Sequence, residues 1–165
     1  MAKLAQPLAE ALVERVFADP SAELRDLGAL MEALGVEDPV KALAQTTLTQ
    51  IDTRTADRMT WLMERYGPHP EIDRAIAGRL GIWAQEDHRA AAQWLSGLPK
   101  SATRDEGVSR FAQSVAYTEP ESAVEWAQTI TDDALRVEVL GKVHAAWERN
   151  DPDAAAVSRK KFEKE

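Results

Sequence analysis

The chain has 165 residues, 44% apolar and 29% charged, with no cysteine and a net charge of −8. That balance suits one folded domain with a real core and is too apolar for disorder. The missing thiols exclude disulfides and thiolate metal sites and fit a reducing compartment. The negative charge sets the surface against nucleic-acid phosphate and anionic lipid, and favours solubility or a basic partner.

The first stretch, MAKLAQPLAEALVERVF, is amphipathic but interrupted by Glu10, Glu14 and Arg15. It lacks the continuous apolar run of a signal peptide. No segment approaches the roughly 18 apolar residues that a membrane span needs. A cytoplasmic protein without membrane contact is therefore expected. Alanine is the commonest residue, and it costs a helix least because it loses no side-chain freedom. All-α is the predicted class.

Acid–proline pairs divide the chain at Asp19-Pro20, Asp38-Pro39, Glu119-Pro120 and Asp151-Pro152. Proline suits the first helical turn, where its missing N–H is no loss, and an acid before it can cap free amides. Between dividers the apolar spacing is helical. Leu24, Leu27, Met31 and Leu34 form one stripe, Val40, Leu43, Thr47 and Ile51 the next, and Met59, Leu62, Met63 and Tyr66 a third. About ten helices are predicted, near 3–18, 21–34, 39–51, 54–66, 70–86, 88–97, 102–117, 120–130, 133–149 and 152–163. Their connections are short, so neighbours should run roughly antiparallel.

The second half repeats with a period of 32 residues: Trp83, Val115 and Trp147 fall on one column, and Ile76, Val108 and Leu140 on another. The segments QEDHRAAAQWL, TEPESAVEWAQ and NDPDAAAVSRK align, with acids Asp87, Glu119 and Asp151 opening each. Ala91, Ala123 and Ala155 share a place, as do Trp94 and Trp126. Each unit holds a longer helix and a shorter one. Val108, Phe111, Ala112 and Val115, echoed by Leu140, Val143, His144 and Trp147, give the longer helices one apolar stripe. A two-helix unit cannot bury such a stripe alone, so units should stack. The recurring segment thus reads as a joint rather than a recognition motif. The tryptophans read as core, with Trp126→Ala costing about 3–5 kcal/mol.

In the helix from residue 133, Val137, Leu140, Gly141 and His144 stand where tetratricopeptide repeats carry Trp, Leu, Gly and Tyr. Over residues 70–163 the chain resembles the tetratricopeptide-repeat-like and HEAT-like α-solenoids. Its period of 32 compares with about 34 in that family, and its proline lies between the two helices of a unit. The resemblance implies a right-handed α-solenoid of antiparallel helix pairs, used as a protein-binding scaffold without catalytic residues. The expected organisation is a single domain over 1–165. It comprises irregular helices in 1–69, then three repeats in 70–165 ending in a polar cap at Ser158, Arg159 and KKFEKE.

Chemistry is sparse. The three histidines, His69, His88 and His144, form no HExxH or HxH pattern, so no metal is expected. His144 reads as a partly buried ring with one hydrogen-bond partner, and His88 as a turn residue. The acids cluster at helix starts, where the dipole favours them. The glycines form no phosphate loop, and Phe111 stands where a Gly107-x-Ser109-x-Gly elbow needs its second glycine. No cofactor is expected.

The candidate partner-binding surface is a ridge of alternating charge on the longer helices: Arg104, Glu106, Arg110, Arg136, Glu138 and Lys142. Its bland alternative is a solvated helix face held by i,i+4 pairs. The leading expectation is a non-enzymatic scaffold that binds a protein or peptide and no nucleic acid. The alternatives are a regulatory or small-molecule-binding helical domain and, behind it, an enzyme whose site the sequence hides.

Overall fold

The computed structural model describes residues 55–162 together with Ala11, Ala44 and Leu48. Among the described residues the protein is all-helical, with seven helices and no strand. They are α1 Thr55–Tyr66, α2 Pro70–Glu86, α3 His88–Gly97, α4 Ala102–Val115, α5 Pro120–Gln128, α6 Asp133–Glu148 and α7 Pro152–Phe162. Their bounds lie within two residues of those predicted. The helices expected near 3–18, 21–34 and 39–51 lie outside the described residues, apart from helical Ala11 and Ala44 and the turn at Leu48. No described helix is long and apolar enough to cross a membrane.

The chain divides into two compact units, Met1–Ile76 and Ala77–Glu165, with the division falling inside α2. In the first unit Ala44, Leu48, Met59, Leu62, Ile72 and Ile76 are buried. At the C-terminal end of α1, the rings of Trp61 and Tyr66 meet edge-on at 5.7 Å.

In the second unit the joints begin as their sequence suggests. Asp87 Oδ1 accepts the Ala90 N–H at 3.0 Å, Asp132 Oδ1 that of Leu135 at 2.8 Å and Asp151 Oδ1 that of Ala154 at 2.9 Å. Ser101 caps α4 in the same way through Arg104 N–H. Each side chain satisfies an amide that the helix leaves unpaired. Glu119 differs: with a longer side chain it makes no capping bond, and Pro120 alone suits the start of α5. Its carboxylate reaches instead across one repeat to His88 Nε2, 3.2 Å away.

Successive helices α3 to α7 pack each on the next, and the longer helices α4 and α6 also pack directly together. The alanine column Ala91, Ala123 and Ala155 is buried throughout, as are Trp83, Val115 and Trp147. Small side chains there allow close approach of neighbouring helices, and the large ones fill the seams. Packing is also close at Gly107, where a Cβ would stand 3.2 Å from Leu80 Cδ2 and 3.3 Å from Leu95 Cδ2.

One expected stripe shifts. On α6 the buried residues are Val139, Val143, His144 and Trp147, while Leu140 is half-buried. Its register mate Val108 is fully buried. α4 is clasped by helices before and after it, whereas the corresponding edge of α6 is open: Val137 is 69% exposed, and nothing lies within 4 Å of a Cβ built on Gly141.

Candidate functional site

The two charge pairs of the predicted ridge form. On α4, Arg110 Nε lies 3.6 Å from Glu106 Oε1, and on α6, Lys142 Nζ lies 2.6 Å from Glu138 Oε1. All four side chains reach solvent, on two helices that pack together. Exposed pairs at this spacing hold their helix by only about 0.2–0.5 kcal/mol. Their charges therefore stay available to an outside group at little cost.

The two arginines beside them have other work. Arg104 is only 7% exposed. Its Nη1 donates to the Thr129 carbonyl at 3.2 Å and its Nη2 to Thr129 Oγ1 at 3.2 Å. Thr129 closes α5, so the guanidinium sits at a helix C-terminus, where carbonyl dipoles favour a cation. Arg136 approaches the same joint from α6, with Nη1 donating to Ile130 O at 2.9 Å and Nη2 to Asp133 Oδ1 at 2.6 Å. The residues that face solvent as a charged row are Glu106, Arg110, Glu138 and Lys142.

Asp105, a residue that sequence reasoning passes over, completes this joint. It is 2% exposed. Its Oδ2 accepts the N–H groups of Thr131 at 2.9 Å and Asp132 at 3.1 Å, and also the Thr131 hydroxyl. These amides open α6, where negative charge is favoured. The other oxygen has no hydrogen-bond partner and lies 4.0 Å from Arg104 Nη1. Adjacent residues of opposite charge on α4 thus clamp the end of one helix and the start of the next. No column signals this role, because the register mate of Asp105 is Val137.

His144 lies in the seam between α6 and α7. Its Nδ1 is 2.9 Å from the Leu140 carbonyl and its Nε2 3.1 Å from Ser158 Oγ, so it has two partners where the sequence predicts one. A carbonyl only accepts, so the neutral ring carries its proton on Nδ1 and Nε2 accepts from the serine hydroxyl. The ring stacks on Trp147 at 6.3 Å. Burial holds its pKa below the ordinary histidine value. The bond to the Leu140 carbonyl and the charge of Glu148 oppose that shift, and Arg159 adds to it.

Two open grooves flank the shorter helices. One, of about 410 Å³, is lined by Ser96, Arg104, Glu125, Trp126 and Thr129. The other, of about 430 Å³, lies among α5, α6 and α7 around Trp147, Val157 and Ser158. Among the described residues no group of three or more His, Asp or Glu side chains could hold a metal ion. No protein-family model, curated protein or solved structure matches the chain.

Proposed function

We propose that this protein is a non-enzymatic helical-repeat scaffold that binds a protein or peptide. The reading includes a right-handed α-solenoid of about ten antiparallel helices, a cytoplasmic setting and no nucleic-acid partner, in keeping with the net charge of −8. The observation that carries it is the recurrence of a solvent-facing acid–base pair at one register on two mutually packed helices, Glu106 with Arg110 and Glu138 with Lys142. The buried alanine and Trp83/Val115/Trp147 columns support the stacked-unit architecture beneath it. A row of alternating charge selects a partner by charge complementarity, which governs specificity and association rate more than raw affinity.

Affinity capture followed by mass spectrometry tests the reading, with the doubly reversed variant Arg110→Glu/Lys142→Glu as the comparison. Arg104 and Arg136 are left intact, because reversing either would break the α5–α6 joint rather than probe a surface. A specific protein recovered by the parent and lost by the variant is expected. Equal recovery by both removes the charged row from recognition.

A further inference from the structure

α7 departs from the two shorter helices before it at two adjacent positions. Where the register places Gln93 and Glu125 it has Val157, and where the register places Trp94 and Trp126 it has Ser158. In the earlier units that indole lies against an aromatic ring of the preceding longer helix. Trp94 lies 6.4 Å from Trp83, and Trp126 meets Phe111 edge-on at 5.2 Å. Two repeats after the Trp83–Trp94 pair, the same positions hold Trp147 and Ser158. A serine cannot fill the place of an indole, and the groove of about 430 Å³ opens there, with Trp147 and Ser158 in its wall.

The rest of the lining says what fits. Val124 adds apolar surface, and Val157, which replaces polar residues of the earlier units, stands 71% exposed at the groove. Glu121 and Glu125, one helical turn apart on α5, contribute two carboxylates, against the single ammonium of Lys161 on α7. The geometry points to a docking site for one aromatic side chain of a partner protein, entering between α5 and α7 with a lysine or arginine beside it to meet Glu121 and Glu125. The incoming ring takes the place that Trp94 holds two repeats earlier and meets Trp147 in the groove wall. A groove of this size is in the range that encloses small organic groups, and Trp and Tyr are enriched among the residues that anchor protein interfaces. This site rests on the scaffold reading and supplies the apolar anchor that the charged row lacks.

The test uses the full chain, ¹⁵N-labelled at low ionic strength. It is titrated with three blocked tripeptides: Lys-Trp-Lys, Glu-Trp-Glu and Lys-Ala-Lys. Lys-Trp-Lys should shift the Trp147 indole N–H and the amides of Val124, Val157 and Ser158 while leaving Trp83 unmoved. It should bind about tenfold more tightly than Glu-Trp-Glu, as two weak surface attractions turned to repulsions imply. Lys-Ala-Lys should give no shifts at these residues.

The double variant Glu121→Lys/Glu125→Lys should invert the charge preference. Ser158→Trp, which restores the register residue, should abolish binding. Should that variant fail to fold by circular dichroism, Val157→Lys, which removes apolar surface at an exposed side chain and adds a charge that repels the peptide, takes its place with the same expected loss. Identical shifts from Lys-Ala-Lys, an unchanged preference in the double variant, shifts mapping elsewhere, or none at millimolar peptide would each overturn the site. Protein capture through Arg110 and Lys142 without tripeptide binding removes the groove and leaves the scaffold standing. Tripeptide binding together with a protein captured equally by the parent and by Arg110→Glu/Lys142→Glu removes the charged row and leaves the groove standing.

Discussion

Asp105 of α4 and Val137 of α6 occupy the same place in the 32-residue register, yet one is 2% exposed and the other 69%. Around Asp105, the α5–α6 joint wraps back onto α4 and donates three hydrogen bonds to its carboxylate. Around Val137 the surface is open. The same contrast separates Trp126, half-buried against Phe111, from Ser158, which leaves a groove at its own position. The comparison teaches that the register specifies the backbone and the columns that face the seam. What covers a given side chain depends on whether a further joint folds over it.

The sharpest way to break this comparison is to exchange the two fates. Asp105→Ala should cost about 3–5 kcal/mol, because it strands the amides of Thr131 and Asp132 and leaves Arg104 buried without its counter-charge. Val137→Asp should stay within about 0.5 kcal/mol of the parent. Urea midpoints decide, and a tolerated Asp105→Ala would show that the clamp is incidental. Trp126→Ala comes next. Its ring is only partly buried, so the loss should lie near the lower end of the expected range, about 3 kcal/mol. Ser158→Ala in the same column forfeits one hydrogen bond to His144, about 1 kcal/mol. Comparable losses from both would end the distinction between a filled and an unfilled seam.

The caps sharpen it further. Alanine at Asp87, Asp132 or Asp151 should each lower stability by about 1 kcal/mol. Glu119→Ala, which removes no capping bond, should change it by less than about 0.5 kcal/mol; thermal melts of the four variants make the comparison. A smaller effect is expected from His144, whose burial is opposed by the Leu140 carbonyl and Glu148. Its folded pKa is below the unfolded value of about 6.5. The unfolded chain therefore binds the proton first as pH falls. Stability from this group is complete above about pH 6.5 and is lost as pH drops through the lower folded value. Urea midpoints taken stepwise from neutral to acidic pH should fall less steeply for His144→Gln than for the parent. Parallel slopes would exclude His144 as their source.

Much of the second unit is legible in the amino-acid sequence. The starts of α3, α5 and α7 follow from Asp87, Glu119-Pro120 and Asp151-Pro152, because capping and proline geometry act within a few residues. The alanine column follows from a repeat whose members are buried alike, whereas Trp94 and Trp126, expected as core, are half-buried and meet rings at different register positions, Trp83 and Phe111. Arg104 cannot be read in this way. The register pairs it with Arg136, but its partner, Thr129, lies 25 residues away at the end of another helix. Spacing places Leu140 on the buried stripe, yet it is half-buried because its edge of α6 is open.

By itself, the sequence determined the helical class, the lengths and starts of the described helices and the 32-residue register. Each of these rests on local energetics: propensity, capping and a period of apolar residues that every unit repeats. Only the tertiary structure decided that Asp105 and Arg104 are spent on the α5–α6 joint, that Glu119 reaches His88 instead of capping α5, and that Ser158 borders a groove. Those outcomes depend on which surface lies opposite each side chain. Burial and charge pairing between helices are set by contacts across the fold, where equal residues at equal register meet unequal neighbours.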